Sequence, residues 1–236
     1  LWWRDDDVQR DTPALAKLLD LSRRYRIPLL LAAVPQGMDR TLASAISQIP
    51  LVWVCQHGFV HANHAPPGEK RSELGPHRPL QTMGRELLRG RDMLRDGVGD
   101  RVLPVLVPPW NRISDRLIKH LPRLGYGGLS TFGGRSTDRP TNGLTQVNAH
   151  VDLIDWHGGR DFIGTEVALS QLVSHLSARR QGQADVDEPT GLMSHHLVHD
   201  ERSWAFCEAL FDRTCAHPSV RGLDPAQVFT RDDRSA

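Results

Sequence analysis

Cysteine is nearly absent from this chain of 236 residues: Cys55, Cys207 and Cys215 are its three. An odd number without a paired zinc-binding spacing argues against a disulfide framework or a cysteine-built zinc site, and fits reduced thiols in a cytoplasmic protein. An excess of charge of one sign is missing too. Twenty-nine Lys and Arg stand against 28 Asp and Glu, a net +1, and no basic run is long enough to make a face, so neither nucleic acid nor an anionic membrane surface is an expected partner. No apolar run is long enough to span a bilayer, and none reads as a signal peptide. Internal repeats and low-complexity tracts are also missing. The chain starts inside what reads as a first strand, so sequence upstream of Leu1, any targeting segment included, is expected to be missing from it.

What is present is an alternation. At 39% hydrophobic content the chain can bury one full core. Apolar runs recur at Leu1–Trp3, Leu29–Val34, Leu51–Cys55, Val102–Val107, Gly128–Thr131, Val147–Ile154 and Leu192–His195, giving about seven candidate strands. Helical patterns lie between most of them. Thr12 is a good N-cap, Pro13 suits the first helical position, and Leu15, Leu18, Leu19 and Tyr25 keep to one side. Ser114 opens a pattern through Leu117, Ile118, Leu121 and Leu124 that Gly125 closes. Further helices are expected near 81–96, 166–179 and 201–215, and rim loops at 65–80, 133–145 and 180–190. Strand and helix in turn imply a parallel sheet, and the expected fold is α/β, a single-domain distorted (β/α) barrel of about seven parallel strands, with an open doubly wound sheet second.

Polar groups gather where apolar runs end. His57 and His61 are four apart, about 13 Å in an extended strand, too far to share an ion whose ligands sit about 2 Å away. The pair is therefore expected on a helical turn, with Gly58 as the point where strand becomes turn. Asp5, Asp6 and Asp7 follow Leu1-Trp2-Trp3. Either they form a solvated loop that favours the positive end of the helix at Thr12, or neighbouring carboxylates serve as metal ligand and base. Trp53 and Phe59 read as core. Trp110, after Pro108-Pro109, and Trp156, after Asp152 and Asp155, stand beside polar residues where an indole could stack on a sugar ring. His150, His157, His196, His199 and Asp200 are further candidates for the site, whereas His77, His120, His175 and His217 read as structural.

In order and character the five pieces Trp2-Trp3-Arg4-Asp5-Asp6-Asp7, His57-Gly58-Phe59-Val60-His61, Val107-Pro108-Pro109-Trp110-Asn111, Asp152-Leu153-Ile154-Asp155-Trp156 and Leu192-Met193-Ser194-His195-His196 resemble the polysaccharide deacetylase family, metal-dependent carbohydrate esterases. The resemblance spans nearly the whole chain and implies one catalytic domain over 1–236. Counted back from Thr12-Pro13, it assigns Asp5 as general base and Asp6, with His57 and His61, as metal ligands, Asp7 replacing a usual glycine. It makes His195 the general acid, with Asp152 or Asp155 keeping it protonated and Asp155 taken as the catalytic one. Pro109, Trp110 and Trp156 become substrate-binding residues. The implied cofactor is a divalent ion, zinc first, nickel or cobalt in its place. The implied partner is a carbohydrate, deacetylated at an N-acetyl group.

One position departs from the family. Its third motif carries an arginine that holds the catalytic aspartate, and Val107 stands there instead, leaving Arg4 or Arg112 as substitutes. Two other readings stay open beside the deacetylase: a catalytically silent carbohydrate-binding barrel, and a hydrolase of a non-sugar amide.

Overall fold

A computed structural model describes residues 1–47 and 49–230. Eight strands, β1 (Trp2–Val8), β2 (Leu29–Ala33), β3 (Val52–His57), β4 (Val102–Val107), β5 (Gly128–Leu129), β6 (Thr145–Gln146), β7 (Val151–Asp152) and β8 (Gly191–Ser194), form one sheet in the order β6-β5-β4-β3-β2-β1-β8-β7. Every pairing between them is parallel. Parallel neighbours need crossovers, and helices supply most of them. They are α1 (Pro13–Tyr25), α2 (Thr41–Ser47), α3 (Leu80–Val98), α4 (Asp115–Ile118) and α5 (Thr165–Arg180), with α6 (Glu201–Cys215) and α7 (Pro225–Phe229) after β8.

The sheet curls into the expected barrel. Segment 145–152 borders both of its edges: Val147 and Ala149 donate backbone N–H groups to Leu129 and Thr131, and His150 donates to Gly191. The apolar run read as a single strand changes partner midway, and that switch divides it into β6 and β7. Eight strands therefore stand where about seven were expected.

Strand alternation sorts the side chains of β1. Trp2 joins Leu30, Ala32, Cys55, Val105, Val107 and Val147 inside the curl, and Phe229 of α7 meets its ring edge-on at 5.7 Å. Trp3 faces outward, in the layer where β2 and β3 pack on α1 and α6. Thr12 caps α1 through Leu15 N–H, and Leu15, Leu18 and Leu21 are fully buried, each worth about 1.5–3 kcal/mol of apolar burial. The pattern expected to run from Ser114 to Gly125 is interrupted, because Pro122 cannot continue a helix: α4 stops at Ile118 and a 3₁₀ turn covers Pro122–Leu124.

The acidic triplet lies inside β1 rather than after it. Pairing with β2 runs regularly through Asp5–Leu31 and then shifts, resuming at Val8–Ala33. Asp7 sits at this bulge with φ 72°, a left-handed conformation that aspartate tolerates better than most residues.

Candidate metal and acid–base site

His57 is the last residue of β3, paired with Val107 of β4, and its Nδ1 lies 2.9 Å from the Val107 carbonyl oxygen. A carbonyl only accepts, so Nδ1 carries a proton and Nε2 is the nitrogen turned towards the site. Beyond His57 the chain turns through Gly58 (φ 59°) and His61 (φ 58°), not through the helical turn expected for this pair. A single buried carboxylate shapes the turn: Glu73 accepts the backbone N–H groups of Phe59, Val60 and His61 at 3.1, 2.9 and 3.2 Å. A side chain at Gly58 would collide with Glu73 and Pro109. The turn brings His61 back so that both imidazoles face one carboxylate oxygen: Asp7 Oδ1 is 3.2 Å from His57 Nε2 and 3.3 Å from His61 Nε2.

The residue meeting the histidines is therefore Asp7, where Asp6 was expected. The bulge between Asp5 and Val8 breaks the alternation of side-chain direction, so the neighbours Asp6 and Asp7 both reach the site, one residue later than the count back from Thr12-Pro13 gave. Asp6 is held differently. Its carboxylate takes a two-pronged contact from Arg4, Nε to Oδ1 at 2.9 Å and Nη2 to Oδ2 at 3.1 Å, both side chains being buried. The same guanidinium donates to Ser130 Oγ, the Thr131 carbonyl and Asn111 Oδ1, at 2.6, 3.3 and 2.9 Å. Of the two substitutes for the arginine missing at Val107, Arg4 makes this contact, while Arg112 reaches the Arg71 carbonyl.

His195 follows β8, its Nε2 4.0 Å from Asp6 Oδ2 and its Nδ1 4.0 Å from Asp152 Oδ1. Trp156 donates Nε1–H to Asp152 Oδ2 at 2.9 Å and sets its ring edge-on to His195, centroids 4.7 Å apart. Asp155, expected at the catalytic centre, is not beside His195. Its Oδ1 accepts the N–H groups of His157 and Gly158 and closes its own turn. Asp152 belongs to β7 and pairs with Met193, which puts it at the same strand end as His195, whereas Asp155 has already left the sheet. Asp5, expected as the base, points out of the curl and accepts from Ser194 and His196.

Trp110 and Asn111 take consecutive left-handed conformations, φ 55° and 56°, at about 1–2 kcal/mol each for residues with a Cβ. The bend lays the Trp110 ring against His61, centroids 4.4 Å apart, with buried Pro109 beneath the turn. The indole braces an imidazole, and Trp156 does the same on the other side.

Charge follows this layout. Burial disfavours the Asp7 carboxylate, but the His57 hydrogen bond and the charges of His57, His195 and His61 outweigh it and hold the group well below the usual carboxylate range. For His57, burial is likewise outweighed, by Asp7 and Asp6, and its pKa is raised. His61, half-buried and next to His57, is shifted down by that partial burial and by the neighbouring charge. Burial pushes Asp152 up, against the pull of His195, and pushes Glu73 up against its three N–H donors.

No family model matches the sequence, and no curated protein does. Solved structures do match. A putative polysaccharide deacetylase from Mycobacterium smegmatis aligns over 92% of this chain and 75% of its own, at TM-score 0.66 and 16% identity. A family 4 acetyl xylan esterase from Clostridium thermocellum, in complex with a cobalt ion, aligns over 97% and 90%, at 0.59 and 12%. A CE4-family pseudoenzyme from Bacillus anthracis aligns over 98% and 65%, at 0.64 and 10%. The chain has the polysaccharide deacetylase fold.

Within that deacetylase fold a second cluster, His150, His175 and Glu188, is fully buried and compact enough to suggest an ion. Its chemistry is different. His150 Nδ1 accepts the Gly191 N–H at 3.1 Å, which leaves the proton on Nε2, 3.4 Å from Glu188 Oε2. The two rings lie face to face, 3.4 Å apart with 19° between planes, so their in-plane lone pairs do not converge. Both Glu188 oxygens already accept backbone N–H groups, from Arg135 and Asn148. Burial and the neighbouring His150 push the His175 pKa down to about 4. This cluster ties the loops at 133–145 and 180–190 to the sheet; it joins His175, read as structural, to His150, read as a further candidate for the site.

Proposed function

We propose that this chain is a metal-dependent hydrolase that removes the acetyl group from an N-acetylated sugar. The observation that carries the proposal is the convergence of Asp7, His57 and His61 on one point beside Asp6 and His195. Adjacent donors of a tetrahedral site with bonds of about 2.0–2.1 Å stand roughly 3.3 Å apart, and the Asp7–His57 and Asp7–His61 separations are 3.2 and 3.3 Å. With Nδ1–H donating to the Val107 carbonyl, Nε2 of His57 is the nitrogen whose lone pair is left to coordinate. Two imidazoles and a carboxylate suit zinc, with nickel or cobalt as substitutes. The donor set fits the group.

Asp7, His57 and His61 would hold a divalent ion there, which would supply a lowered pKa for water and a polarised acyl carbonyl. Asp6, aimed by Arg4, takes the proton of the attacking water. His195 gives a proton to the departing nitrogen, its ring oriented by Asp152 and Trp156 and its positive charge offset by Asp152. Trp110, rigid on its Pro-Pro turn, offers the sugar an aromatic face and the developing oxyanion its backbone N–H. A silent binding barrel is the second reading, favoured by the Bacillus pseudoenzyme that shares this fold. Acetate release from a panel of N-acetylated glycans separates the two.

Purified protein is expected to hold about one ion per chain. Asp7→Ala, His57→Ala and His61→Ala should each lose it, and Asp6→Asn should keep it. Loss in Asp6→Asn with retention in Asp7→Ala, by elemental analysis, would return the ligand to Asp6. Glu73→Gln should weaken metal retention on the order of 10–100-fold, because an amide nitrogen cannot accept one of the three N–H groups that place His61. Unchanged affinity in a chelator competition would show that the clasp does not set the ligand.

A further inference from the structure

We infer that Asp5 and His196, on the face of β1 and β8 turned away from the acid–base groups, position His195. The inference rests on the acid role proposed above for His195. Asp5 is fully buried in the layer between sheet and helices. Its Oδ2 accepts the Ser194 hydroxyl at 2.6 Å and the His196 backbone N–H at 3.0 Å, and its Oδ1 meets His196 Nδ1. Ser194 Oγ also accepts Trp3 Nε1–H at 2.9 Å, and Trp3 packs on Phe211 of α6 with ring centroids 4.8 Å apart. One carboxylate, anchored to the core, thus grips the residues on both sides of His195.

His195 needs such a grip. It stands between the end of β8 and a 3₁₀ turn at His196–Val198, with φ −140° and ψ 84°, outside either regular element. Its ring points the opposite way, towards Asp6 and Asp152, each 4.0 Å away. A small rotation of the 194–196 peptides would swing the ring out of that gap, and misplacement by about 1 Å costs on the order of 10²-fold in rate. His196 Nε2 is buried without a hydrogen-bond partner, so the ring acts through Nδ1. Asp5 and His196 are positioning residues; neither faces the side on which substrate would lie.

The test uses the metal-loaded chain and three variants. Asp5→Asn keeps the volume but has one acceptor oxygen for contacts that occupy two. His196→Ala removes the ring, and His196→Asn restores a donor near the place of Nδ1. Asp5→Asn and His196→Ala should lose about 10–10²-fold in kcat with KM within about twofold and metal retained, and His196→Asn should recover most of the loss. Diethyl pyrocarbonate labelling, mapped by peptide mass, should rise several-fold at His195 in the first two variants and stay constant at His61. Folded Asp5→Asn with kcat and His195 labelling both unmoved overturns the inference. Equal loss in His196→Ala and His196→Asn overturns it too, since the pair would then only stabilise the fold. If the wild type releases no acetate, the deacetylase reading fails by itself, and labelling decides: a rise at His195 supports the positioning role and no change removes it. If Asp5→Asn does not fold, the two His196 variants carry the same outcomes.

Discussion

Asp6→Asn is expected to lower kcat for acetate release by on the order of 10²–10⁴-fold, the scale of a positioned proton-transfer group, with the bound metal and the fold intact. The substitution is nearly isosteric and leaves Asp7, His57 and His61 untouched, so the loss belongs to proton transfer and not to the ion. Arg4 can still donate to the remaining oxygen of the amide, which keeps the side chain in place. Steady-state kinetics beside elemental analysis checks both halves. An Asp6→Asn protein with wild-type turnover would remove Asp6 from the mechanism, and one that loses the ion would mean that Asp6 and Asp7 share the ligand role.

The second large effect is on stability. Arg4 is completely buried and its counter-charge is Asp6. Arg4→Met should destabilise the protein by about 3–5 kcal/mol, because it strands a buried carboxylate and leaves Ser130 and Asn111 short of a donor. The double variant Arg4→Met/Asp6→Asn should be less destabilised than the single one, since removing both charges leaves none unpaired. Denaturant melts of the four proteins in this cycle give the coupling directly. If the two changes simply add, the guanidinium does not hold Asp6.

The groups that make the site were legible in the sequence as types and neighbourhoods, and less so as individual positions. Thr12-Pro13 announced α1, and the alternation of apolar runs with helical patterns announced the parallel sheet, because both signals are local. His57 and His61 were visible as a pair, but the device that unites them was not a helical turn: it is Glu73, one carboxylate in a loop rich in Gly, Pro and charge, which nothing in its surroundings distinguishes from its neighbours. The assignments along Asp5-Asp6-Asp7 depend on a bulge of one residue, and a bulge has no signature in a run of identical side chains. Choosing Asp152 over Asp155 required knowing where β7 stops, and a strand of two residues is too short for periodicity to bound. Arg4 was visible as a candidate. That its guanidinium reaches Ser130, Asn111 and Asp6 together depends on closure of the curl, a long-range event.

That closure also bears on how this molecule meets others. In an open parallel sheet the two outermost strands each present a row of unpaired amides and carbonyls on which a foreign strand can add. Here one stretch of backbone, 145–152, is both outermost strands at once, its first half spoken for by β5 and its second half by β8. The short β5, β6 and β7 would be poor guards of an exposed border, but the border has been folded inward and spliced. Lateral strand addition, a common route from barrel-like sheets to fibrils, therefore has no ready starting line along this seam.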